Sequence, residues 1–332
     1  MVFLSIGKYS RYSKACHKII INPMPKVSVI VPVYNVEKFI RRCLISIQQQ
    51  SLDDIEIIVV NDATPDNSMA IVQELAKDDH RITILNHEKN LGPMCTRETG
   101  YMAAIGDYIT FCDSDDYMPK DALEKLYSTA VASNADIVSG NSIYLTVKGE
   151  KLLWKNELKY GNTKVGVLRS LLRHELGHNL WGKLFKASLL QEYKYNTYEH
   201  ATNGEDGCLF YQVIANMDLM IVINEIVYFY IQNTESSSQI KLSENALESI
   251  CIANTKRIAT ASNFPELQKD LKACVSSSFA NFFYQGCDKD GTLSKLINKY
   301  SLTDYCSFRT ILSSHTMINA VQLLLKRYLI RR

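Results

Sequence analysis

The sequence lacks several features that define common classes of protein. Its 332 residues include nine cysteines but no C-x-x-C pair, which argues against a zinc ribbon and a disulfide-stapled scaffold. The first residues turn polar too early for a signal peptide, and no apolar run reaches the roughly 18 residues that cross a bilayer. Neither G-x-G-x-x-G nor the P-loop pattern occurs, which disfavours a dinucleotide oxidoreductase and a P-loop NTPase. We therefore expect a cytoplasmic protein that does not span a membrane.

The chain also lacks a large net charge, although its charges are unevenly distributed along the sequence. The formal net charge is +2, so bulk charge gives no reason to expect a nucleic-acid partner. No acid precedes Glu37 or follows Asp304, and each end carries +5, which leaves −8 for the residues between. Residues 317–332 have the pattern of an amphipathic helix with a cationic tip. The basic ends could contact the inner face of an anionic membrane peripherally, or could be solvated parts of packed segments.

What the chain does contain is an alternation of short apolar runs with amphipathic segments. With 46% apolar and 22% charged residues, the composition is that of a globular protein. Runs rich in β-branched residues predict strands, and the segments between them show helical spacing. The predicted strands are 27–33, 55–60, 81–85, 107–112 and 135–140, and the predicted helices are 39–47, 67–77, 93–104 and one with Pro119 as its first residue. Such alternation predicts an α/β fold with a mostly parallel sheet and helices on both faces.

The regularity ends near Asn141, which divides the chain into parts. We expect a basic N-terminal segment at 1–25 and a main α/β domain at 26–235, whose two halves meet near residue 140. From Ser236 the sequence reads as helices joined by polar turns. Residues 236–332 are therefore predicted to form a helical extension, which is a candidate contact for a homodimer.

Polar side chains follow four consecutive predicted strands. Ligands of open α/β sheets bind beyond the carboxyl ends of the strands, so these residues are candidates for a site. They include Tyr34, Asn35, Asn61, Asp62, Thr64, Asp66, Asn90, Arg97 and the run Asp113-Ser114-Asp115-Asp116. Asn35 and Asp66 are equally suited to capping helices or forming turns.

The Asp-Ser-Asp-Asp run has two interpretations. Three clustered carboxylates repel one another unless a cation or hydrogen-bond donors neutralise them. Hard oxygen ligands of this kind suit Mg²⁺ or Mn²⁺, so the run is a candidate metal site. The alternative is an acidic, solvated turn that caps the helix beginning at Pro119.

Motifs along the chain, taken in order, resemble those of a known family. They are VSVIVPVYN, IEIIVVNDATPDNS, NLGPMCTRETG, YITFCDSDDYMP, NLWGKLFKASLL, NGEDGCLF and YFYIQNTESSSQ. Together these resemble family 2 inverting glycosyltransferases with the GT-A fold, of the type that assembles bacterial polysaccharides. The resemblance covers residues 26–235. It implies transfer of a sugar from a nucleotide-sugar, with UDP expected, to a glycan or lipid-linked acceptor, with inversion and with Mn²⁺ or Mg²⁺ as cofactor.

The resemblance also implies roles for residues of the donor half, 26–140. Tyr34 would pack on the uracil ring, and Asp62 would accept a hydrogen bond from the pyrimidine N3–H. Asp113 and Asp115 would hold the divalent ion that neutralises the leaving diphosphate. The full set of implied donor-binding residues is Pro32, Tyr34, Asn35, Asp62, Arg97, Asp113 and Ser114.

Residues of the acceptor half, 141–235, receive their roles in the same way. The resemblance implies that Asp206 is the general base for the acceptor hydroxyl and that Glu205 positions the base or the acceptor. Because a single displacement with inversion needs one base, no covalent nucleophile is expected. The implied acceptor-side residues are His178, Trp181 and Lys183.

The segment after the second strand departs from the family pattern. The usual D-D-G-S is replaced by Asn61-Asp62-Ala63-Thr64. Ala63 in place of glycine predicts a turn without a positive φ. The retained Asp62 predicts that base recognition is kept.

Two other functions stay open at this level. His174 to His178 match H-E-x-x-H, which on a helix would place two imidazoles on one face for zinc, with Glu175 as base. The extended metzincin pattern is absent, so a zinc hydrolase would need a third ligand from His200, His315 or a carboxylate. The second alternative is a non-catalytic GT-A-like binding module, against which the retained acidic residues argue.

Overall fold

The computed structural model describes residues 24–233, 243–284 and 291–306. In these ranges the strands are β1 (Val27–Val33), β2 (Ile55–Asn61), β3 (Ile82–Asn86), β4 (Tyr108–Phe111), β5 (Ile137–Leu145), β6 (Lys151–Trp154), β7 (Lys183–Lys186) and β8 (Met220–Ile231). The helices are α1 (Ile40–Gln48), α2 (Ser68–Ala76), α3 (Pro93–Ala103), α4 (Ala122–Ser133), α5 (Lys164–Leu172), α6 (Ala187–Gln191), α7 (Glu205–Ile214), α8 (Glu244–Ala261), α9 (Gln268–Tyr284) and α10 (Thr292–Lys299).

All the strands belong to one mixed sheet. β1 lies between β2 and β4, and β3 pairs with β2, all in parallel. β7 then pairs antiparallel with both β4 and β5, so β5 does not lie beside β4. One edge of β5 is shared by β7 and the antiparallel β6, and its other edge pairs in parallel with β8. The predicted mostly parallel sheet is confirmed for the first half, with antiparallel strands inserted in the second.

The sheet separates two hydrophobic cores because successive side chains of a strand point to opposite faces. In β1, the valines at 27, 29, 31 and 33 join α1, α2 and α4 in one core. Ile30 faces the other core, with side chains from α3, α5 and α7 to α9. Helices on both faces are therefore confirmed.

The helix that follows β4 begins later than expected. Pro119 is not its first residue, because α4 starts at Ala122 with Asp121 as its N-cap. The carbonyl oxygen of Pro119 instead accepts hydrogen bonds from Ala122 N at 3.1 Å and from Gln50 Nε2 at 2.7 Å. The proline thus lies in a turn that is tied to the end of α1.

The C-terminal helices pack on the face that carries α7. Leu247 and Cys251 of α8 share a core with Leu209 of α7. Thr260 Oγ1 also donates to the Tyr211 carbonyl oxygen at 3.0 Å. The described part of the extension therefore supports the helix on which Glu205 and Asp206 lie.

None of the helices in the described ranges is both long and apolar enough to cross a bilayer. Most of both basic ends lies outside the described residues, as does the predicted amphipathic helix at 317–332. Their predicted membrane contact therefore stays a prediction.

Candidate active site

The ends of β1 and β2 are tied together at the carboxyl edge of the sheet. Asp62 N donates to the Val33 carbonyl at 3.0 Å, and Asn35 N donates to Thr64 Oγ1 at 2.8 Å. These bonds bring Tyr34 close to the turn that carries Asp62. The Tyr34 side chain is 48% exposed, which leaves its ring accessible.

Asp62 is buried and organises the loop that precedes α3. Its Oδ1 accepts from Leu91 N at 2.8 Å, and its Oδ2 accepts from Gly92 N at 2.9 Å. The Nδ1 of His87 lies 2.8 Å from Oδ1, and its Nε2 lies 2.9 Å from Thr99 Oγ1. His87 was missed by the sequence reasoning, although it directly follows β3 at the same sheet edge. Among the described residues Oδ2 accepts from this one donor, and a carboxylate oxygen has a second lone pair for a ligand N–H.

The turn after Asp62 adopts a backbone conformation that the sequence did not predict. Ala63 has φ +54°, so the expectation that this turn avoids a positive φ is wrong. A left-handed alanine costs about 1–2 kcal/mol, and local hydrogen bonds offset that cost. Thr64 N donates to Asn61 Oδ1 at 2.9 Å, and Thr64 Oγ1 donates to Asp66 Oδ1 at 2.7 Å.

Asp66 stabilises the turn and the start of α2, which was one of its two predicted roles. Its Oδ1 accepts from Ser68 N at 3.1 Å, at the start of α2, and its Oδ2 accepts from Glu37 N at 2.8 Å. Despite partial burial, these donors together lower the pKa of Asp66. Asn35 is an exposed turn residue with φ +55°.

Arg97 joins the donor half to the acceptor half. It is 4% exposed on α3. Its Nη2 donates to Asp113 Oδ1 at 2.7 Å, and its Nη1 lies 3.2 Å from Asp206 Oδ1 and 3.9 Å from Glu205 Oε1. Burial alone would lower the pKa of Arg97, but the charges of Asp206, Asp113 and Glu205 raise it above its ordinary value. The guanidinium is therefore a permanent cation among three carboxyl groups.

The Asp113–Asp116 run is not a solvated turn. Asp116 is fully buried, and its carboxylate accepts from Tyr228 Oη at 2.9 Å and from Ile231 N at 2.7 Å. Burial, followed by the charges of Asp115 and Asp113, raises the pKa of Asp116 well above its ordinary value. Asp116 therefore anchors β8 and is separate from the candidate metal ligands.

Asp115 is a half-buried carboxyl group in the turn after β4. Burial, and then the charge of Asp113, raises its pKa to about 6, although the charge of Arg42 opposes the shift. Arg42 Nη2 donates to the Asp115 carbonyl at 2.6 Å. Asp113 is also half-buried; burial raises its pKa, and Arg97 opposes that shift. A divalent cation would relieve both carboxylates, and this donor set therefore fits the expected metal.

A metal here would have few protein ligands. Within the described ranges, no three or more His, Cys, Asp or Glu side chains form a metal-binding group. Mg²⁺ and Mn²⁺ commonly bind through one or two carboxylates and complete their coordination with phosphate and water. Asp113 and Asp115 suit that arrangement.

The two acids of NGEDGCLF lie in the first turn of α7. The Oδ2 of Asp206 accepts from Leu180 N at 3.3 Å. Its Oδ1 is buried and has no hydrogen-bond partner in the described part of the chain, and the same holds for Nε and Nη1 of Arg97. Burial, followed by the charge of Asp206, raises the pKa of Glu205 to about 7. The pair thus presents one carboxylate oxygen that can accept a proton.

The acceptor-side residues have unequal access to solvent. Trp181 is half-buried and stacks on Tyr228 at 4.7 Å and on Tyr230 at 5.6 Å between ring centroids. Lys183 is fully buried, and its Nζ donates to the Asn179 carbonyl at 2.6 Å. Burial lowers the pKa of Lys183 to about 7. Its bond to Asn179 holds the 179–183 segment in place, and its predicted contact with an acceptor stays a prediction.

His178 lies beside the first turn of α7. A Cβ placed on Gly207, the residue after Asp206, would lie 3.2 Å from His178 Cδ2. His178 is exposed to solvent, so a ligand can reach it.

The zinc hydrolase alternative fails on local structure. α5 ends at Leu172, so His174 to His178 are not on a helix, and His174 has φ +58°. The two imidazoles therefore lack the one-turn spacing that H-E-x-x-H needs. His174 Nε2 instead lies 3.9 Å from Cys274 Sγ of α9.

The family model described as glycosyl transferase family 2 matches residues 28–195, just over half of the chain. The chain belongs to glycosyl transferase family 2. The match includes every assigned residue of the donor half, together with His178, Trp181 and Lys183.

Two relatives with matching sequence are longer than this chain. Glycosyltransferase GlyA of Streptococcus pneumoniae is 33% identical over 301 residues, which are 85% of this chain and 42% of GlyA. Poly(ribitol-phosphate) beta-glucosyltransferase of Bacillus spizizenii is 32% identical over 209 residues, which are 62% of this chain and 32% of that protein. The chain thus spans less than half the length of these two relatives.

The solved structure of Staphylococcus aureus TarS 1–349 in complex with UDP-GlcNAc has a similar fold. Its TM-score is 0.70 at 20% identity, and the match covers 86% of this chain and 82% of that one. At this identity the likeness concerns the fold alone. The predicted GT-A fold of this family 2 member is confirmed.

Proposed function

We propose that the chain transfers a sugar from a nucleotide-sugar donor to a hydroxyl of an acceptor glycan, with inversion at the anomeric carbon. The observation that carries this proposal is the buried cluster in which Arg97 lies between Asp113 and Asp206. In this cluster Asp206 Oδ1 forms an ion pair with Arg97 but accepts no hydrogen bond from the described residues, which supports Asp206 as the proton acceptor. A single displacement needs a base for the acceptor and a site for the leaving group. Here the two would lie on either side of the Arg97 guanidinium.

The proposed donor is a UDP-sugar. Exposed Tyr34 can stack on a base, while Oδ2 of Asp62 can accept a hydrogen bond from a pyrimidine N3–H. The TarS structure, whose fold is similar, was solved with UDP-GlcNAc. The half-buried Pro32 and buried Ser114 are proposed to complete the donor side.

The proposed cofactor is Mn²⁺ or Mg²⁺, held by Asp113 and Asp115. When bound, the ion would neutralise the diphosphate as it leaves. The raised pKa of Asp115, about 6, is consistent with a carboxylate placed to receive a cation. Asp116 is not included, because its carboxylate already accepts two hydrogen bonds from β8.

Asp206 is the proposed base. As the acceptor oxygen forms its bond to the anomeric carbon, the bond to the diphosphate oxygen breaks and the hydroxyl proton passes to Asp206 Oδ1. Arg97 Nη1 lies 3.2 Å from that oxygen and is proposed to hold the Asp206 side chain in position. Glu205 and His178 are proposed to orient the acceptor beside Asp206.

The test compares Asp206→Asn with the wild type on a panel of UDP-sugars with Mn²⁺. We expect Asp206→Asn to retain UDP binding by calorimetry but to lose transfer by about 10³-fold or more, because the amide cannot accept the proton. The control is Asp78→Asn, which removes an exposed carboxylate away from the site. Full transfer by Asp206→Asn would exclude this residue as the base, and absence of turnover or UDP binding in the wild type would refute the proposed donor.

The acceptor is proposed to be a bacterial surface glycan, free or lipid-linked. One relative is named for glucosylation of poly(ribitol-phosphate), which indicates that a polymeric acceptor occurs among similar proteins. Peripheral membrane contact through the basic ends and a homodimer through the C-terminal helices stay predictions.

A further inference from the structure

A cavity of about 460 Å³ lies against the end of α7 that is remote from the acids Glu205 and Asp206. Its walls come from α7, from α8 and the turn after it, from the start of α5, and from the segment after α6. None of these wall residues has a role in the proposed donor site or in the transfer step.

The charge of this cavity is of one sign. Lys164, Lys194 and Lys256 line it, and no acidic residue does. Within the described ranges, none of these lysines forms an ion pair with a carboxylate. Lys256 makes only a contact with the ring of Tyr198, at 5.8 Å from its centroid. The residues between 37 and 304 carry a net charge of −8, so the charge of this cavity is opposite in sign to the net charge of that region.

The other residues that line the cavity suit a ligand with both polar groups and carbon atoms. Asn263 is exposed and can donate or accept hydrogen bonds, while Phe264 presents part of its ring. A phosphodiester of a polyol or sugar suits this lining. Its phosphate can interact with the lysines, and its carbon atoms can pack against the aromatic ring.

The position of the cavity relates it to the proposed base. Gln212 and Asn216 line the cavity, six and ten residues after Asp206 along the chain. Gln212 lies within α7, and at about 1.5 Å per residue of helix it is roughly 9 Å along the axis from Asp206. An acceptor longer than its reacting unit would therefore be needed to contact the cavity and the base together.

We infer that this cavity binds a phosphate group of the acceptor, beyond the sugar or polyol that receives the new linkage. The inference rests on the proposed function. It restricts the proposed acceptors to chains that carry a phosphate group. Two sources share this chemistry: phosphodiesters repeated along a polyol phosphate, and the diphosphate of a lipid-linked acceptor.

The test measures binding without any donor, using the full chain. The probes are soluble poly(ribitol phosphate), and phosphatidylcholine vesicles with or without undecaprenyl diphosphate. The variant is Lys164→Gln/Lys194→Gln/Lys256→Gln. The control is Lys77→Gln/Lys269→Gln/Lys272→Gln, which removes three exposed lysines outside the cavity and changes the net charge equally.

We expect the cavity variant to bind a phosphate-bearing probe on the order of tenfold to a hundredfold more weakly than the wild type. The control should change by less than about threefold, since isolated surface charges contribute little. Lys256→Arg, which keeps the charge, should retain binding. Unchanged melting temperatures would show that the variants are folded.

The two probes distinguish the source of the phosphate. Loss of binding to the soluble polymer supports a polyol phosphate, and loss confined to vesicles with the diphosphate supports a lipid-linked acceptor. Equal binding by the wild type and the cavity variant to both probes overturns the inference, as does equal loss in the control. UDP-sugar turnover is measured separately, so its absence would refute the proposed transfer and not the phosphate site.

Discussion

The carboxyl groups of the site have different roles because their surroundings differ. Asp115, Asp116 and Glu205 all have raised pKa values with burial as the largest cause. Asp116 uses its carboxyl to anchor β8, whereas Asp206 Oδ1 has an ion pair with Arg97 but no hydrogen bond among the described residues. A list of acids read from the sequence does not distinguish these roles, because burial and hydrogen bonding decide them.

Glu205 should make stability depend on pH in the metal-free and nucleotide-free protein. Its pKa is raised to about 7 from an ordinary 4.5. The folded state therefore holds this proton longer than the unfolded chain does, and the associated stability is complete below pH 4.5 and lost as pH rises through 7. We expect the free energy of unfolding to fall by up to about 3 kcal/mol across that window.

Urea unfolding at pH 5 and pH 8 checks this expectation. Asp115 contributes in the same direction, so the informative quantity is the difference between the wild type and Glu205→Gln. The variant should show a smaller pH dependence, since glutamine does not titrate. An identical pH dependence in both proteins would contradict the assignment.

At the scale of elements, the start of α3 is held by backbone contacts. Gly92, its N-cap, has φ +89°, and a Cβ there would lie 2.9 Å from the backbone N and Cα of His200. His200 N donates to the Leu91 carbonyl at 2.8 Å. The same loop gives its N–H groups to Asp62, so the close approach at Gly92 links the 200–204 segment to the donor side.

Gly92→Ala should therefore destabilise the protein and loosen the donor site. We expect a loss of about 2–4 kcal/mol, from the left-handed backbone and from the clash with His200 together. Gly149→Ala is the matched control, because Gly149 has φ +81° and nothing lies within 4 Å of its added Cβ. Thermal unfolding and UDP calorimetry measure both effects, and equal losses in the two variants would show that the clash contributes nothing.

The secondary structure shows which elements a sequence pattern can predict. The strands β1 to β4 and the helices α1 to α3 lie within a few residues of their predicted bounds, because long apolar periodicity reports burial directly. β6 and β7, of four residues each, were not predicted. β4 is equally short, but all four of its residues are buried and apolar or β-branched. β6 is mostly exposed and β7 has a lysine at each end, so neither has an apolar run that a sequence pattern detects.

At the scale of the whole molecule, a single guanidinium joins the two halves of the site. Arg97 comes from α3, Asp113 from the end of β4 and Asp206 from α7. Removing a buried cation leaves its partners as uncompensated buried charges, which is strongly unfavourable. The fold therefore depends on Arg97 for stability as well as for the proposed chemistry.

Arg97→Gln should lower the free energy of unfolding by about 3–5 kcal/mol. Adding Asp206→Asn should recover part of that loss, since it removes one of the stranded charges, with a coupling of about 1–3 kcal/mol in a double-mutant cycle. Arg41→Gln is the control, because its pair with Glu74 is exposed, and we expect almost no change. Strict additivity of Arg97→Gln and Asp206→Asn would contradict a direct interaction.

The sequence by itself determined the α/β fold class, the family, the strand-end residues and the acids at 205 and 206. It could do so because these follow from local periodicity and from motifs of adjacent residues. Only the tertiary structure decided that Asp62 pairs with His87, that Ala63 is left-handed and that Lys183 is buried. It also brought Arg97 between acids of both halves and gathered three lysines around one cavity. These features depend on distance and burial between residues far apart in the chain, and the order of residues does not encode them locally.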